Sequence, residues 1–567
     1  MRIHHILLVL LIVIIPKNFI NASENVVFIH TDRYCYVSGD VVFFKIYFPE
    51  NILDQTGKQT IYVDLITSDK HFICGELIKT FNGIASGYLN IPDTLLSGKY
   101  DLRVYTDISI KSQHPVLGLK HLYISNRFGK EGDVMKMFLL DTIKSGLPGK
   151  EFDNPVCSVN IANTKFHKRE KVNIEVLFHP TTVPDTLYTS LSIKPISPFE
   201  QLVESENNHI DNLGNLKSNK QNSRISEVQG IKIGGKLINA ASQDPVLQAI
   251  VFLSFEDTIL RIKYDIVDEK GDFCFFIDNF YGNQTAILTA FSYPDLHLLN
   301  DVMFNINDLF YKEPVTASTT NFFRGISYDT LNISKAIVSK AYNINYVKFK
   351  DIPIRDTFLY ENKHFTGRLT SQVYPDDYVV FNDFIELARE ILPIIRYKKT
   401  GNTYRVSIID PVYKTARSDP FVLVDGIPLG DVSKIKDLGT GQIKRIDMKS
   451  QPRFYGDVFM PNGILLIWTK NKEFWLYKTF EYCSKQEFKL YQKPVDIIFP
   501  DYSLSSSKNL PDFRQTLFWE PQLEITNNTP SEVSFYTSDE IGQYEVILEG
   551  ISQKGLPVFV RKVFTVE

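Results

Sequence analysis

The chain has 567 residues, a formal charge of −4 and the composition of an ordinary soluble protein, enough length for roughly three to five domains. No stripe of Lys and Arg runs through it, which excludes nucleic acid as a partner. Many short apolar runs separated by Gly, Pro, Asn and Asp predict a mainly β chain of several sandwiches in tandem.

Residues 1–22 have the pattern of an export signal. Arg2 and two histidines precede the apolar run Ile6–Ile15, and a polar segment leads to Ala22 as the expected cleavage point. The run is too short to span a bilayer, which takes about 20 residues. Ile20, third before that break, suits cleavage poorly, so an uncleaved anchor is the alternative. No cysteine follows the run until Cys35, which argues against a lipid anchor.

Residues 23–126 read as one sandwich. After the turn signal Tyr36–Asp40, Val42, Phe44, Ile46 and Phe48 share a strand face. Tyr62–Ile66, Gly87–Ile91 and Lys99–Thr106 supply further strands, the last with Tyr100, Leu102 and Val104 alternating against Asp101 and Arg103. His30-Thr31-Asp32-Arg33, Tyr36, Gly39-Asp40, Phe44-Lys45 and Ser97-Gly98-Lys99-Tyr100 recur in an order that resembles macroglobulin-type MG2 domains of bacterial envelope proteins. Residues 150–200 add strand candidates over Val159–Ile193, including Lys171–Phe178, in the style of a second macroglobulin-like module. Residues 201–228 turn polar and lose apolar periodicity, which predicts a connector or surface loop. Order returns in residues 229–310. Gly234-Gly235-Lys236-Leu237-Ile238, then Ala249–Phe255, then Asp268-Glu269-Lys270-Gly271-Asp272-Phe273 resembles the carboxypeptidase-type regulatory sandwich.

Residues 325–480 mix helix and strand. Leu331–Tyr342 is a short helix candidate, and Asp383–Leu392 places Phe384, Leu387, Ala388, Ile391 and Leu392 on the helical period. Asn382 is the expected cap, Asp383 and Glu386 suit the positive end, and Pro393 follows the last turn. Phe421–Val424 then meets Asp425-Gly426, a tight-turn dipeptide. Ile443–Lys449 and Gly463–Thr469 are the next strands. With Val-Asp-Gly-Ile-Pro-Leu first and Gly-Ile-Leu-Leu-Ile-Trp-Thr-Lys last, this βαββ segment resembles the plug domain of TonB-dependent outer-membrane receptors. Only 98 residues follow Thr469, and a 22-stranded barrel with strands of about 10 residues needs more than twice that. The expectation is a plug without its own barrel. No TonB-contacting box follows the export segment, so energy coupling is not expected. Residues 511–567 close the chain with strands around Phe535, Tyr544 and Val546–Leu548 and a turn at Asp539–Gln543. They either complete the Val159–Ile193 module or stand alone. Asp-Phe-Arg-x-Thr-Leu-Phe-Trp resembles the carboxy-terminal signature of the same envelope family. The fold class expected is mainly β with an α+β insert: Ig- or macroglobulin-like sandwiches in tandem plus a plug-like βαββ domain.

Motifs for chemistry are weak. Cys74-Gly75-Glu76-Leu77 is one residue from the Cys-Gly-Glu-Gln of macroglobulin thioesters, but Leu77 has no carbonyl to acylate the thiol. Gly83-Ile84-Ala85-Ser86-Gly87 lacks a serine at the middle of a nucleophile elbow, and Gly234-Gly235-Lys236 lacks the rest of a phosphate loop. His167 with Glu170 sits in a basic turn, and His30 with Asp32 shares a strand face without a third ligand. Five widely spaced cysteines carry no metal spacing and read as buried thiols. Trp468, Trp475 and Trp519 are the aromatics to examine for exposure, since an exposed ring could stack on a glycan.

No catalytic, cofactor or metal residue is therefore expected. The turn Asp425, Gly426 and Pro428 is the expected exposed interface. The resemblances imply a non-enzymatic envelope protein of a Gram-negative bacterium, in the periplasm or at the outer-membrane surface. It would bind or gate a protein partner such as an outer-membrane β-barrel and would associate with the membrane peripherally. The alternative is a macroglobulin-like protease-binding factor without thioester, with Gln201–Val228 as its bait. A hydrolase would need a cluster of His, Ser, Asp or Glu that the linear order does not show.

Overall fold

The computed structural model describes residues 27–48, 58–81, 83–110, 117–128, 151–179, 186–205, 230–255, 260–312, 330–342, 346–350, 365–471, 474, 482–504, 509–526, 530–552 and 557–567. The export segment, residues 206–228 of the polar stretch, and Trp475 lie outside the described residues. The fold is mainly β, with sandwich-like sheets and a few short helices.

The first unit holds Phe28–Thr31, Cys35–Val37, Val41–Tyr47, Lys58–Thr67, Phe72–Phe81, Ile84–Asn90, Gly98–Tyr105 and Gly118–Ser125. Val42, Phe44 and Ile46 point into its core with Leu65, Leu102 and Leu122, as period-2 alternation requires. The opposite face of the same strand is also covered. Tyr47 packs with Ile547, Ile551 and Phe559 of the second unit, and Lys45 is only 1% exposed.

That second unit is assembled from two distant stretches. Lys171–Phe178 lies between Cys157–Ile161 and Ser531–Tyr536. The facing sheet runs Lys165–Phe166, Pro557–Val566, Gly542–Ser552, Thr186–Pro195, Phe518–Thr526. The carboxy-terminal strands thus complete the sandwich begun before the polar stretch, around Val172, Ile174, Leu191, Leu548 and Val560. Everything between Thr186–Pro195 and Phe518–Thr526 is an insertion between two hydrogen-bonded neighbours.

The insertion repeats the device. A third unit packs the sheet of Asp272–Ile277, Ile231–Asn239 and Val302–Ile306 against Ile262–Ile266, Ala249–Phe255, Asn283–Ser292 and Cys483–Lys489. Its last strand returns only after the α+β unit and pairs with Asn283–Ser292. The α+β unit has a five-stranded sheet ordered Ser371–Val373, Ile443–Lys449, Ile464–Thr469, Phe421–Val424, Ile427–Pro428, in which Phe421–Val424 runs parallel to Ile464–Thr469. Helix Phe384–Ile391 buries Phe384, Leu387, Ala388 and Ile391 beneath it. The helix cap is Asp383 and not the expected Asn382: Asp383 is extended, at φ −141° and ψ 168°, and its carboxylate accepts from Glu386 N at 2.8 Å.

The units share buried faces. Tyr62, Leu77 and Tyr105 of the first join the core of the third, and Phe252 and Phe291 of the third pack on Phe421 and Leu466 of the α+β unit. This explains why Ala249–Phe255 is buried at all seven positions, where a strand at the surface of a sandwich would alternate.

Candidate functional site

The expected interface turn does not face solvent. Asp425 and Gly426 both have positive φ, +51° and +82°, the signature of a two-residue type I′ hairpin joining Leu423–Val424 to Ile427–Pro428. The Asp425 carboxylate is fully used inside the protein: it accepts from Thr469 N at 2.7 Å and Thr469 Oγ1 at 2.6 Å. Asp425, Gly426 and Pro428 are all buried, and a Cβ on Gly426 would lie 3.1 Å from Leu260 Cδ1. The turn is an interface, but an internal one against the third unit. The reason is chemical: Asp-Gly sets the hairpin, and the apolar residues around it then seek a second sheet.

Other singled-out residues also prove internal. Trp468 and Trp519 are 6% and 2% exposed, and Trp468 Nε1 donates to Asp447 Oδ2 at 2.9 Å. Cys74 is free, and burial pushes its thiol up to about 12. The adjacent Gly75 lies under the Phe310 ring, where a Cβ would come within 2.5 Å. Glu76 pairs with Lys489 at 2.6 Å. His167 N donates to Glu170 Oε2 at 2.5 Å, which closes a turn. Among the described residues, no group of three or more His, Cys, Asp and Glu is placed to hold a metal ion, and no helix is long and apolar enough to cross a membrane.

Tertiary structure does bring a Ser–His–Glu cluster together. His30 Nδ1 lies 2.6 Å from Ser190 Oγ and 3.8 Å from Glu549 Oε2, and Ser190 Oγ is 2.6 Å from Tyr47 Oη. A relay needs the acid on one ring nitrogen and the nucleophile on the other. Here both approach the same nitrogen, and all three residues are buried between the first two sandwiches. Asp32, the other half of the His30 pair, turns to Tyr36 Oη at 2.8 Å and Phe43 N at 3.0 Å. The cluster joins units and offers no substrate access.

A second buried network cements the same junction. Lys194 lies 2.9 Å from Glu200 and 3.5 Å from Glu545, and Arg561 lies 2.8 Å from Glu545 and also pairs with Glu204. Burial raises the Glu545 carboxyl pKa, against the pull of Lys194 and Arg561. Removing one member of such a network would leave an uncompensated buried charge, which is strongly destabilising.

One open feature among the described residues is a groove where the first, second and third units meet, with a volume of about 630 Å³. It exists because the hairpin Phe72–Phe81/Ile84–Asn90 is splayed, with a single described pair, Phe81–Ile84. One end of that opening is filled by Leu490–Gln492. Gln492 N donates to Leu77 O at 2.8 Å, and its side-chain amide accepts from Tyr88 N at 2.9 Å and donates to Tyr88 O at 2.5 Å. Tyr491 Oη meets Thr60 Oγ1 at 2.6 Å. The remaining space is walled by Phe43, Lys45 and Ser86 on one side and by Trp519–Glu524 and Val495–Ile497 on the others. Among the described residues, Phe518–Thr526 is the outermost strand of its sheet, and Val495–Ile498 pairs only with Tyr346–Phe349.

The charges of the groove differ in how they are satisfied. Lys79 is paired with Asp278, and Lys350 lies 2.7 Å from Asp496. Lys45, by contrast, has no ion pair or hydrogen bond among the described residues; its Nζ lies 5.9 Å from the Tyr47 ring centroid. Burial lowers its amine to about 8, opposed by the more distant Glu520 and Glu524. The signal in the chain was Phe44-Lys45, a cation in a strand whose alternate residues are core. Only the docking of the second unit makes that lysine buried.

No family model matches the sequence, and no curated protein matches it. Among solved structures, the chain aligns with a Salmonella alpha-2-macroglobulin reacted with methylamine at 9% identity and a TM-score of 0.15, over 95% of this chain and 23% of that one. A trypsin-activated alpha-2-macroglobulin from Escherichia coli aligns at 10% identity, a TM-score of 0.15, and 95% and 23% coverage. A Yersinia pseudotuberculosis adhesin aligns at 11% identity, a TM-score of 0.12, and 49% and 57% coverage. The chain thus spans about a quarter of the macroglobulins' length. At these scores the likenesses carry no functional argument, and the groove must speak for itself.

Proposed function

We propose that this is a non-enzymatic, exported binding protein of the bacterial envelope, and that the groove between its first three units takes an extended segment of a protein partner. In this reading the first unit is MG2-like, the second macroglobulin-like, the third regulatory-like and the α+β unit plug-like. The partner is a protein at the outer membrane, such as a β-barrel on which the chain docks peripherally. The observation that carries the reading is the groove: its size falls in the range of binding clefts, and an outermost strand, Phe518–Thr526, lines it. Strand edges recognise extended chains through the backbone, while neighbouring pockets select side chains. Pro521 removes one donor from this edge, which guards against open-ended strand addition and leaves selection to the side chains.

Gln522→Trp tests the site. Gln522 is exposed and donates to Ser86 Oγ at 3.1 Å across the groove, so an indole there fills the space. With detergent-solubilised envelopes, wild-type bait should recover a membrane protein that the variant fails to recover. Equal recovery by both, or recovery by neither, would sink the groove as the binding site.

A further inference from the structure

We infer that the groove selects an extended protein segment carrying one carboxylate, which seats against Lys45; the inference rests on the groove being the binding site. The observation is the combination of position and missing partner. Lys45 lines the groove, is 1% exposed, and has neither ion pair nor hydrogen bond among the described residues. A buried cation left in that state is costly, and natural interiors pair such groups. Its strand neighbours leave no room for it to withdraw, since Phe44 and Ile46 belong to the core and Tyr47 is held by Ser190 and the Glu549 carbonyl at 2.6 and 2.9 Å.

The surroundings narrow the anion. Of the other lysines lining the groove, Lys79 and Lys350 are neutralised by Asp278 and Asp496 and Lys493 is exposed to solvent, so Lys45 is the enclosed charge that a ligand would meet. Glu520 and Glu524 stand on the opposite wall. They repel a doubly charged phosphate more strongly than a single carboxylate, and basic residues flanking that carboxylate on the segment would offset the remaining repulsion. The outermost strand beside it, Phe518–Thr526, argues that this carboxylate arrives on a chain and not as a free small acid. Seating it converts an unpaired buried charge into a charge-assisted hydrogen bond, the stronger class.

The test uses the full chain and a random nine-residue peptide library displayed on phage. Wild-type protein should select peptides sharing Asp or Glu at one position. Replacing that residue by Asn or Gln in a synthetic selected peptide should weaken wild-type binding at least ten-fold by fluorescence anisotropy. With Lys45→Met or Lys45→Gln the same replacement should change binding less than two-fold, because the partner charge is gone. Selected peptides with no shared acid, or an equal loss on wild type and both variants, would overturn the Lys45 assignment while leaving the groove intact. Selected peptides that bind Gln522→Trp unchanged, or no selection at all, would overturn the groove itself and the inference with it.

Discussion

The Gln492 side chain is one of several contacts that join the third unit to the first, and its removal tests how the groove is built. Its amide makes two hydrogen bonds to the backbone of Tyr88, in the gap left by the splayed hairpin. Each such bond contributes about 1 kcal/mol net. Gln492→Ala should therefore free local opening around Tyr88 by about 2 kcal/mol, with more if the exposed groups stay dry. At roughly 1.4 kcal/mol per factor of ten, that is about 30-fold faster exchange of the Tyr88 amide. Native-state hydrogen exchange read by mass spectrometry resolves this effect, with Val63 and Leu102 deep in the same unit as controls that should not change. Tyr88 protection unaltered in Gln492→Ala would refute the idea that the amide closes the seam. Loss of protection throughout the first unit would refute its being local.

The Asp425 turn should be sensitive for internal reasons: Asp425→Ala removes two hydrogen bonds to Thr469 and should cost about 3 kcal/mol in denaturant unfolding. Asp425→Asn, which keeps an acceptor and tolerates positive φ, should cost less, and equal costs would argue against the bonds. Lys45 should make stability depend on alkaline pH. Its folded-state pKa, about 8, lies below the ordinary 10.5, so its contribution is present above 10.5 and is lost as pH falls to 8. Lys45→Met should be more stable than wild type by about 3 kcal/mol at pH 7, with the gap shrinking as pH rises from 8 to 10.5; a pH-independent gap would contradict the burial of a charge there. Burial pushes the thiols of Cys74, Cys157 and Cys483 up to about 12. At pH 8 a thiol reagent should leave all three unmodified until the protein is unfolded, as counted by intact mass, and prompt labelling of the native protein would refute it.

Local structure was legible in the residues themselves. Alternation in Val41–Tyr47, the apolar spacing of Phe384, Leu387, Ala388 and Ile391, and the Asp425-Gly426 hairpin each arise from interactions within a few residues. The helix cap was misplaced by one residue because Asn382 and Asp383 are both good caps, and only the backbone angles choose between them. Exposure of the Asp425 turn was misjudged for a different reason: its polarity suggests solvent, while its carboxylate is spent on Thr469 across a parallel strand pair. The Ser190–His30–Glu549 cluster and the Lys194 network were invisible, since their members come from stretches hundreds of residues apart.

What the chain alone determined is its alphabet of elements: β-strands with one apolar face, one good helix, an Asp-Gly hairpin, and no spacing suited to metal or nucleophilic chemistry. Tertiary structure decided how they nest. Thr189 donates to the carbonyl of Leu523, 334 residues away, and no local propensity encodes a partner at that distance, because strand pairing depends on which edge survives after everything between has folded. The same docking buries the outer faces of strands whose patterns promised solvent. It leaves Lys45 enclosed at the groove and, among the described residues, without an ion pair.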